Sequence, residues 1–286
     1  MLVLVSELLA WPWSKPLPAP SEEPSADTLF VTGLLGHAVN IYLNLTLIRM
    51  IAFLHSASAD SEPGSLLRKS FPYSIDGADS VKEGGPRPLL RNVFGLTVFA
   101  VQHSSMSRLA FKLLVPASLL FLERTFYCLC SAMALQFAMM NWQPIATPVF
   151  DLLPMLSAKT KARIELAAQI AGFAVMMAAA KHLDQPEGSF FGMWQAAEGK
   201  ALPLEPSELS REGILGVVRH PIMTGFLMMF WSCANPSKGR LVFNAYMTAY
   251  IFVAVFGLEE PALEAALGSA YTLYKQQVAA FVPLIL

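Results

Sequence analysis

Two clusters in the last third of the chain carry the residue types that can do chemistry, Arg219-His220-Pro221 and Glu259-Glu260. Proline disfavours helical geometry in the residue before it and suits the first position of a helix. The first cluster therefore holds Arg219 and His220 at a helix N-terminus, where free N–H groups and the helix dipole favour an anion. Gly225, one turn on, permits close approach of a ligand or of a neighbouring backbone. The second cluster offers carboxylates that can accept hydrogen bonds from hydroxyl or amino groups, although Glu260 also reads as a helix N-terminal cap.

Other polar groups interrupt apolar stretches. Gln102-His103-Ser104 is followed by Arg108 and Lys112, and Glu123-Arg124-Thr125 opens the next apolar run. Taken singly, the first reads equally as a hydrated helix end and the second as a self-neutralising ion pair. His37, Asn40 and Asn44 share one helical face, a pattern suited to hydrogen bonding between helices. His182 and Asp184 end a further run. No two histidines share a helix at a spacing suited to haem ligation, and Cys128, Cys130 and Cys233 lie in apolar surroundings without metal-site spacing. These cysteines read as core residues, and no metal site is predicted.

The elements that must position these groups are membrane helices. Of 286 residues, 55% are hydrophobic and 14% charged, with a net charge of −1. Soluble domains carry roughly 25% charged residues, so composition points to the bilayer, and no basic run supports nucleic-acid binding. Candidate spans are Leu29–Leu54, Leu89–Phe111, Leu119–Met140, Ile164–Ala180, Pro221–Ala234 and Leu241–Leu258. The fifth would reach only about 20 Å against roughly 30 Å of hydrocarbon, so it is either re-entrant or extended by interfacial residues. Asn235–Gly239 reads as a tight turn, which returns the chain to its starting side and brings the two clusters together. Under six spans the His103 and Glu123-Arg124 groups fall on that same face.

The predicted fold is all-α, a multi-pass bundle of five to six spans with a C-terminal helical hairpin. Pro261 is expected to open a new helix, and Leu263, Leu267, Tyr271, Tyr274 and Val278 then recur as on an amphipathic surface helix. Residues 1–28 form a Pro-rich lead-in, whose first 13 residues resemble a signal core without a positively charged start. Residues 29–286 form a single domain. Lys and Arg divide nearly evenly between the two sides, so the positive-inside tendency leaves orientation open.

The run Val218-Arg219-His220-Pro221-Ile222-x-x-Gly225, then Glu259-Glu260-x-x-Leu263 and Leu267-Gly268-x-x-Tyr271-x-x-Tyr274, resembles the C-terminal signature of the isoprenylcysteine carboxyl methyltransferases and their relatives. Phe99-Ala100-Val101-Gln102-His103-Ser104, Glu123-Arg124-Thr125-x-Tyr127, Asn141-Trp142-Gln143-Pro144, Ser74-Ile75-Asp76 and His182-Leu183-Asp184 narrow the resemblance to the NnrU/nurim branch, and within it to the methanethiol S-methyltransferases. The resemblance implies a membrane enzyme that uses S-adenosyl-L-methionine, bound by Arg219, His220, Gly225, Glu259, Glu260, Tyr271 and Tyr274 within residues 181–286. It implies a small volatile or lipophilic thiol as acceptor, methanethiol giving dimethyl sulfide, with His103, Glu123 and Arg124 as catalytic candidates. A prenylcysteine carboxylate, another lipophilic acceptor, a role in nitrogen-oxide metabolism and a non-catalytic nurim-like role stand as alternatives. Because this cofactor is cytosolic, the expected active face is cytosolic too. The chain departs from many relatives at Met223, where they carry tyrosine.

Overall fold

The computed structural model describes residues 24–55, 71–77, 86–183, 193–199 and 209–283. The first apolar run folds as α1 (Ala26–Leu54), whose N-cap Ser25 accepts the N–H of Thr28. Next comes α2 (Arg87–Met106), which is separated from the one-turn α3 (Leu109–Lys112) by a break at Ser107-Arg108. The sequence predicts one helix from Leu89 to Phe111. Both Ser107 Oγ and Arg108 Nε donate to the Ser104 carbonyl, and such side-chain bonds compete with continuation of the helix.

A 3₁₀ segment, Ala117–Leu122, leads into α4 (Glu123–Met140), followed by α5 (Ala158–Leu183) and the short α6 (Met193–Glu198). The C-terminal part holds α7 (Pro221–Phe230), α8 (Lys238–Ala254), α9 (Glu260–Leu267) and α10 (Ser269–Gln277). Among the described residues there are no strands, only isolated bridges of Pro148 with Ser237 and of Val218 with Ala279.

Among the described residues, four stretches are long and apolar enough to cross a bilayer: Ala26–Leu54, Ala117–Met140, Ala158–Ala180 and Lys238–Leu267. Their outer faces present large apolar side chains, such as Phe30, Ile41 and Val253 at 70%, 60% and 63% exposure. Lipid is the solvent that suits such faces. The protein is an all-α membrane bundle.

At ten residues α7 spans about 15 Å, half the hydrocarbon thickness. The returning arm, from Lys238 to Glu260, is about 33 Å long. A connector of turns and bends, residues 231–237, joins the two arms. It is not the tight turn that Asn235–Gly239 predicts, because its backbone pairs with residues 145–152: Val149 N–H bonds Pro236 O at 3.0 Å, and Leu152 N–H bonds Ala234 O at 2.8 Å.

Nor does Pro261 begin a separate helix. The chain runs helically from Lys238 to Leu267 through a π turn, Val255–Glu259, closed by the Glu260 N–H on the Val255 carbonyl. Proline inside a helix lacks the N–H for its i−4 carbonyl and crowds it, and a π turn absorbs that conflict. The surface helix ends instead at Gly268, whose φ of 58° is a left-handed conformation that suits glycine, and α10 starts beyond it.

Arg240 anchors the far end of the hairpin. Fully buried, it donates to the carbonyls of Leu54, Met229 and Phe230, so one guanidinium caps the C-termini of α1 and α7. Glu165 of α5 supplies the counter-charge at 3.2 Å. Around it pack Phe53, Trp142, Phe230 and Phe243.

The contact of α5 with α7 depends on two glycines. A Cβ on Gly172 would lie 2.6 Å from the Gly225 carbonyl, and one on Gly225 would lie 2.5 Å from the Gly172 carbonyl. Of the two roles open to Gly225, the structure shows the close approach of a neighbouring backbone. Gly225→Ala is therefore expected to destabilise the protein by about 1–3 kcal/mol. Gly257→Ala, where nothing lies within 4 Å, should leave thermal unfolding in detergent unchanged and serves as the control. Equal melting temperatures for Gly225→Ala and the parent would contradict this packing.

Candidate active site

His220 is the N-cap of α7, with φ −122° and ψ 64°, as the following proline requires. Segment 279–280 docks beside it, with Arg219 N–H bonding Ala279 O at 2.8 Å and His220 N–H bonding Ala280 O at 3.0 Å. The Thr224 hydroxyl adds a bond to Phe281 O at 2.8 Å. Segment 218–220, the π turn and α10 are thereby brought to one place.

The carboxylate of Glu260, 3% exposed, is the centre of this site. Its Oε1 accepts from Arg219 Nε at 3.0 Å, Arg219 Nη2 at 2.8 Å and His220 Nε2 at 3.1 Å. Its Oε2 lies 3.2 Å from Lys275 Nζ, which also donates to Glu264 at 3.0 Å. The other His220 nitrogen, Nδ1, is 3.6 Å from Glu259 Oε1. Arg219 Nη1 further donates to the carbonyls of Lys275 and Val278, at the C-terminal end of α10, where a cation is favoured.

Burial pulls the pKa of His220 down, but the hydrogen bonds and charges of Glu259 and Glu260 outweigh it and leave the group above the ordinary value of 6.5. An imidazolium bridging two carboxylates is the state this geometry favours. The three cations Arg219, His220 and Lys275 thus face three resident carboxylates, Glu259, Glu260 and Glu264.

Two groups in the cluster are not consumed by this pairing. Glu259 keeps a side chain that is 47% exposed. Tyr271 is 2% exposed, and its hydroxyl has no hydrogen-bond partner among the described residues. Tyr274, by contrast, donates to Leu215 O at 2.6 Å and lies under the Arg211 guanidinium. A half-open carboxylate beside an orphan buried hydroxyl suits a polar ligand with both donors and acceptors. These residues fit the adenosyl cofactor that the sequence resemblance implies.

The second group forms around His103. Its Nε2 is 2.7 Å from the Tyr127 hydroxyl and its Nδ1 is 3.0 Å from Ser131 Oγ. Phe99 stacks on the ring, and Tyr250 approaches it edge-on. Ser104 joins Tyr250 at 3.0 Å, which ties α2 to α8. Glu123 pairs with Lys112 at 3.7 Å, and Arg124 lies 5.0 Å over the Tyr127 ring. Both clusters draw on the helical run Lys238–Leu267, the first through Glu259 and Glu260 and the second through Tyr250.

Other polar candidates have local partners. His37 Nδ1 bonds the Gly33 carbonyl at 2.8 Å, and Asn44 donates to Asn40 O at 2.9 Å, so both bonds run within α1 rather than between helices. Asp184 and the side chain of His182 lie outside the described residues. No cluster of three or more His, Cys, Asp or Glu is arranged for a metal among the described residues. Sequence reasoning missed Tyr127 and Tyr250 as partners of the imidazole, Lys275 as a partner of Glu260, and the pair Arg240–Glu165. The last two carry no signal in the sequence, because Lys275, Arg240 and Glu165 sit among other polar or charged residues.

Stability from the charged His220 is complete below about pH 6.5, its unfolded value, and is lost as pH rises through the higher folded value. Thermal unfolding from about pH 6 to about pH 9 should show this decline, and His220→Gln should flatten it. Glu260→Gln, which strands Arg219, His220 and Lys275, is expected to cost about 3–5 kcal/mol. A Glu260→Gln protein as stable as the parent would overturn the assignment of Glu260 as the centre.

Known proteins share this arrangement of sequence. A methanethiol S-methyltransferase from a Pseudomonas species is 33% identical over 204 residues, covering 69% of this chain and 74% of that one. That of Mycobacterium tuberculosis is 32% identical over 220 residues, covering 74% and 84%. Nurim from Danio rerio is 25% identical over 232 residues, covering 79% and 82%. No protein-family model matches, and no solved structure matches. At this identity, over more than two thirds of both chains, the protein belongs to the methanethiol S-methyltransferase family.

Proposed function

We propose that the protein is an S-adenosyl-L-methionine-dependent methyltransferase that methylates a small thiol, with methanethiol as acceptor and dimethyl sulfide as product. The observation that carries this reading is that one helical run serves two unlike clusters, an imidazole held by two hydroxyls and a carboxylate–cation network with an unsatisfied hydroxyl. The names of the relatives supply the acceptor. When bound, the cofactor supplies a methyl group already activated on a sulfonium.

The chain's own residues then have two tasks. Glu259 and Tyr271 offer hydrogen bonds to the cofactor, while Arg219, His220, Glu260 and Tyr274 hold those groups and the first turn of α7 in position. His103 takes up the thiol proton, since a thiol reacts as its thiolate. With Tyr127 on one nitrogen and Ser131 on the other, the imidazole can receive a proton on one side and release one on the other. Glu123 neutralises Lys112, and Arg124 packs over Tyr127, so both shape the field around that proton. Phe99, Tyr127 and Tyr250 surround the imidazole with aromatic rings, a setting that suits a small apolar acceptor arriving from lipid. A cytosolic cofactor places this face toward the cytosol.

Calorimetry of the purified protein in nanodiscs is expected to show S-adenosylmethionine binding. Removing the orphan hydroxyl separates binding from folding. Tyr271→Phe should weaken the affinity about tenfold, about 1.4 kcal/mol, without lowering the melting temperature. Absence of binding by the parent would sink the methyltransferase reading and leave a non-catalytic membrane role of the nurim kind. Undiminished affinity in Tyr271→Phe would remove Tyr271 from the site.

A further inference from the structure

The loop between α4 and α5 carries large apolar side chains outward. Met155 is 97% exposed and Leu152 67%, with Val149, Phe150 and Leu156 exposed beside them. The segment is nonetheless tightly held. Its Val149 and Leu152 N–H groups are spent on the connector that ends α7, and Leu156 N–H bonds the Leu153 carbonyl at 3.0 Å. Asp151 accepts the Leu153 N–H at 3.0 Å and pairs with Lys161 in the first turn of α5. That ion pair folds the middle of the loop back beside the start of α5, rather than leaving it beyond the helix end. An ordered apolar surface of this kind is costly in water and calls for an apolar partner.

We infer that residues 149–156 insert into the phospholipid leaflet at the Arg240 end of the hairpin. Lipid is the occupant that the surroundings fit. The apolar surface runs on into the lipid-facing side of α5, where Ile164 and Ile170 are exposed. Lys159 and Arg163, exposed in the first two turns of α5, stand at that level and match the phosphate groups of a leaflet. Trp231, at the start of the connector, is half-exposed with its indole N–H on Thr248 Oγ1, a placement that suits a membrane–water boundary. The backbone pairing also acquires a purpose at this depth, since the Ala234 and Pro236 carbonyls accept loop N–H groups instead of facing hydrocarbon. A ten-residue helix is too short to cross the bilayer, and the inserted loop gives the connector of α7 a hold on that leaflet.

Photocrosslinking of the full chain in phosphatidylcholine–phosphatidylglycerol nanodiscs tests this. The photoreactive residue p-benzoylphenylalanine replaces Met155, Leu152, the lipid-facing Ile170 or the exposed Glu212 at the opposite end, one position at a time. Adducts are then identified by mass spectrometry. All four side chains are exposed, so the variants should melt with the parent. At Met155 and Leu152 the adducts should be to lipid acyl chains, with yields within about twofold of Ile170 and about tenfold above Glu212. Lipid adducts at both loop positions no more abundant than at Glu212, while Ile170 reacts, overturn the inference and leave the loop in water. Adducts from these positions to another segment of the chain or to a second copy overturn it as well, because protein would then cover the apolar surface.

Discussion

Everything at the Arg219-His220 end of the hairpin depends on one buried carboxylate. Glu260 accepts Arg219 and His220 on one oxygen and meets Lys275 with the other, so a single side chain joins three segments distant in sequence. A buried charge is tolerated only when it is paired and hydrogen-bonded, and each of these partners has a second hold: Arg219 on the Lys275 and Val278 carbonyls, His220 on Glu259 and Lys275 on Glu264. The π turn sets the carboxylate's place. It allows the helix to pass through Pro261 while Glu259 and Glu260 address the two nitrogens of one imidazole. Without that turn, a proline at this position would break or kink the helix.

The opposite end of the hairpin is fixed by the mirror-image solution. There the cation is central, and its partners are one glutamate and the carbonyl ends of two helices. Arg240 and Glu260 thus hold the two ends of the Lys238–Leu267 helix, while the Gly172–Gly225 contact locks the short arm α7 against α5. A half-length helix with few partners would otherwise be free to slide. Its N-terminus carries His220, so its position decides whether the imidazole meets both glutamates.

Much of the site was legible because its residues break local rules. Charged pairs inside apolar runs are costly, and Arg219-His220-Pro221 and Glu259-Glu260 announced themselves in that way. The predicted convergence of these clusters and of His103 with Glu123-Arg124 followed from topology alone. The internal pairing was not legible. Arg219 and His220 looked like cations awaiting an anion, whereas Glu260 already supplies one. Pro261 looked like a helix start because the compensating π turn leaves no mark in sequence. Arg240, Glu165 and Lys275 each read as ordinary helix-end charges, since their partners lie 75, 75 and 15 residues away or through bends that spacing does not reveal. The break at Ser107-Arg108 was hidden for a related reason, as side chains there take a carbonyl that periodicity assigns to the helix.

The central claim is that the Glu260 network and the His103 group form one methyl-transfer site. It is tested most directly by supplying purified protein in nanodiscs with methanethiol and S-adenosylmethionine labelled in the methyl group. The headspace should contain labelled dimethyl sulfide, with its rate abolished in His103→Ala and sharply reduced in His220→Ala. Failure to form labelled dimethyl sulfide by a protein that binds the cofactor, or full activity in either variant, would contradict the account.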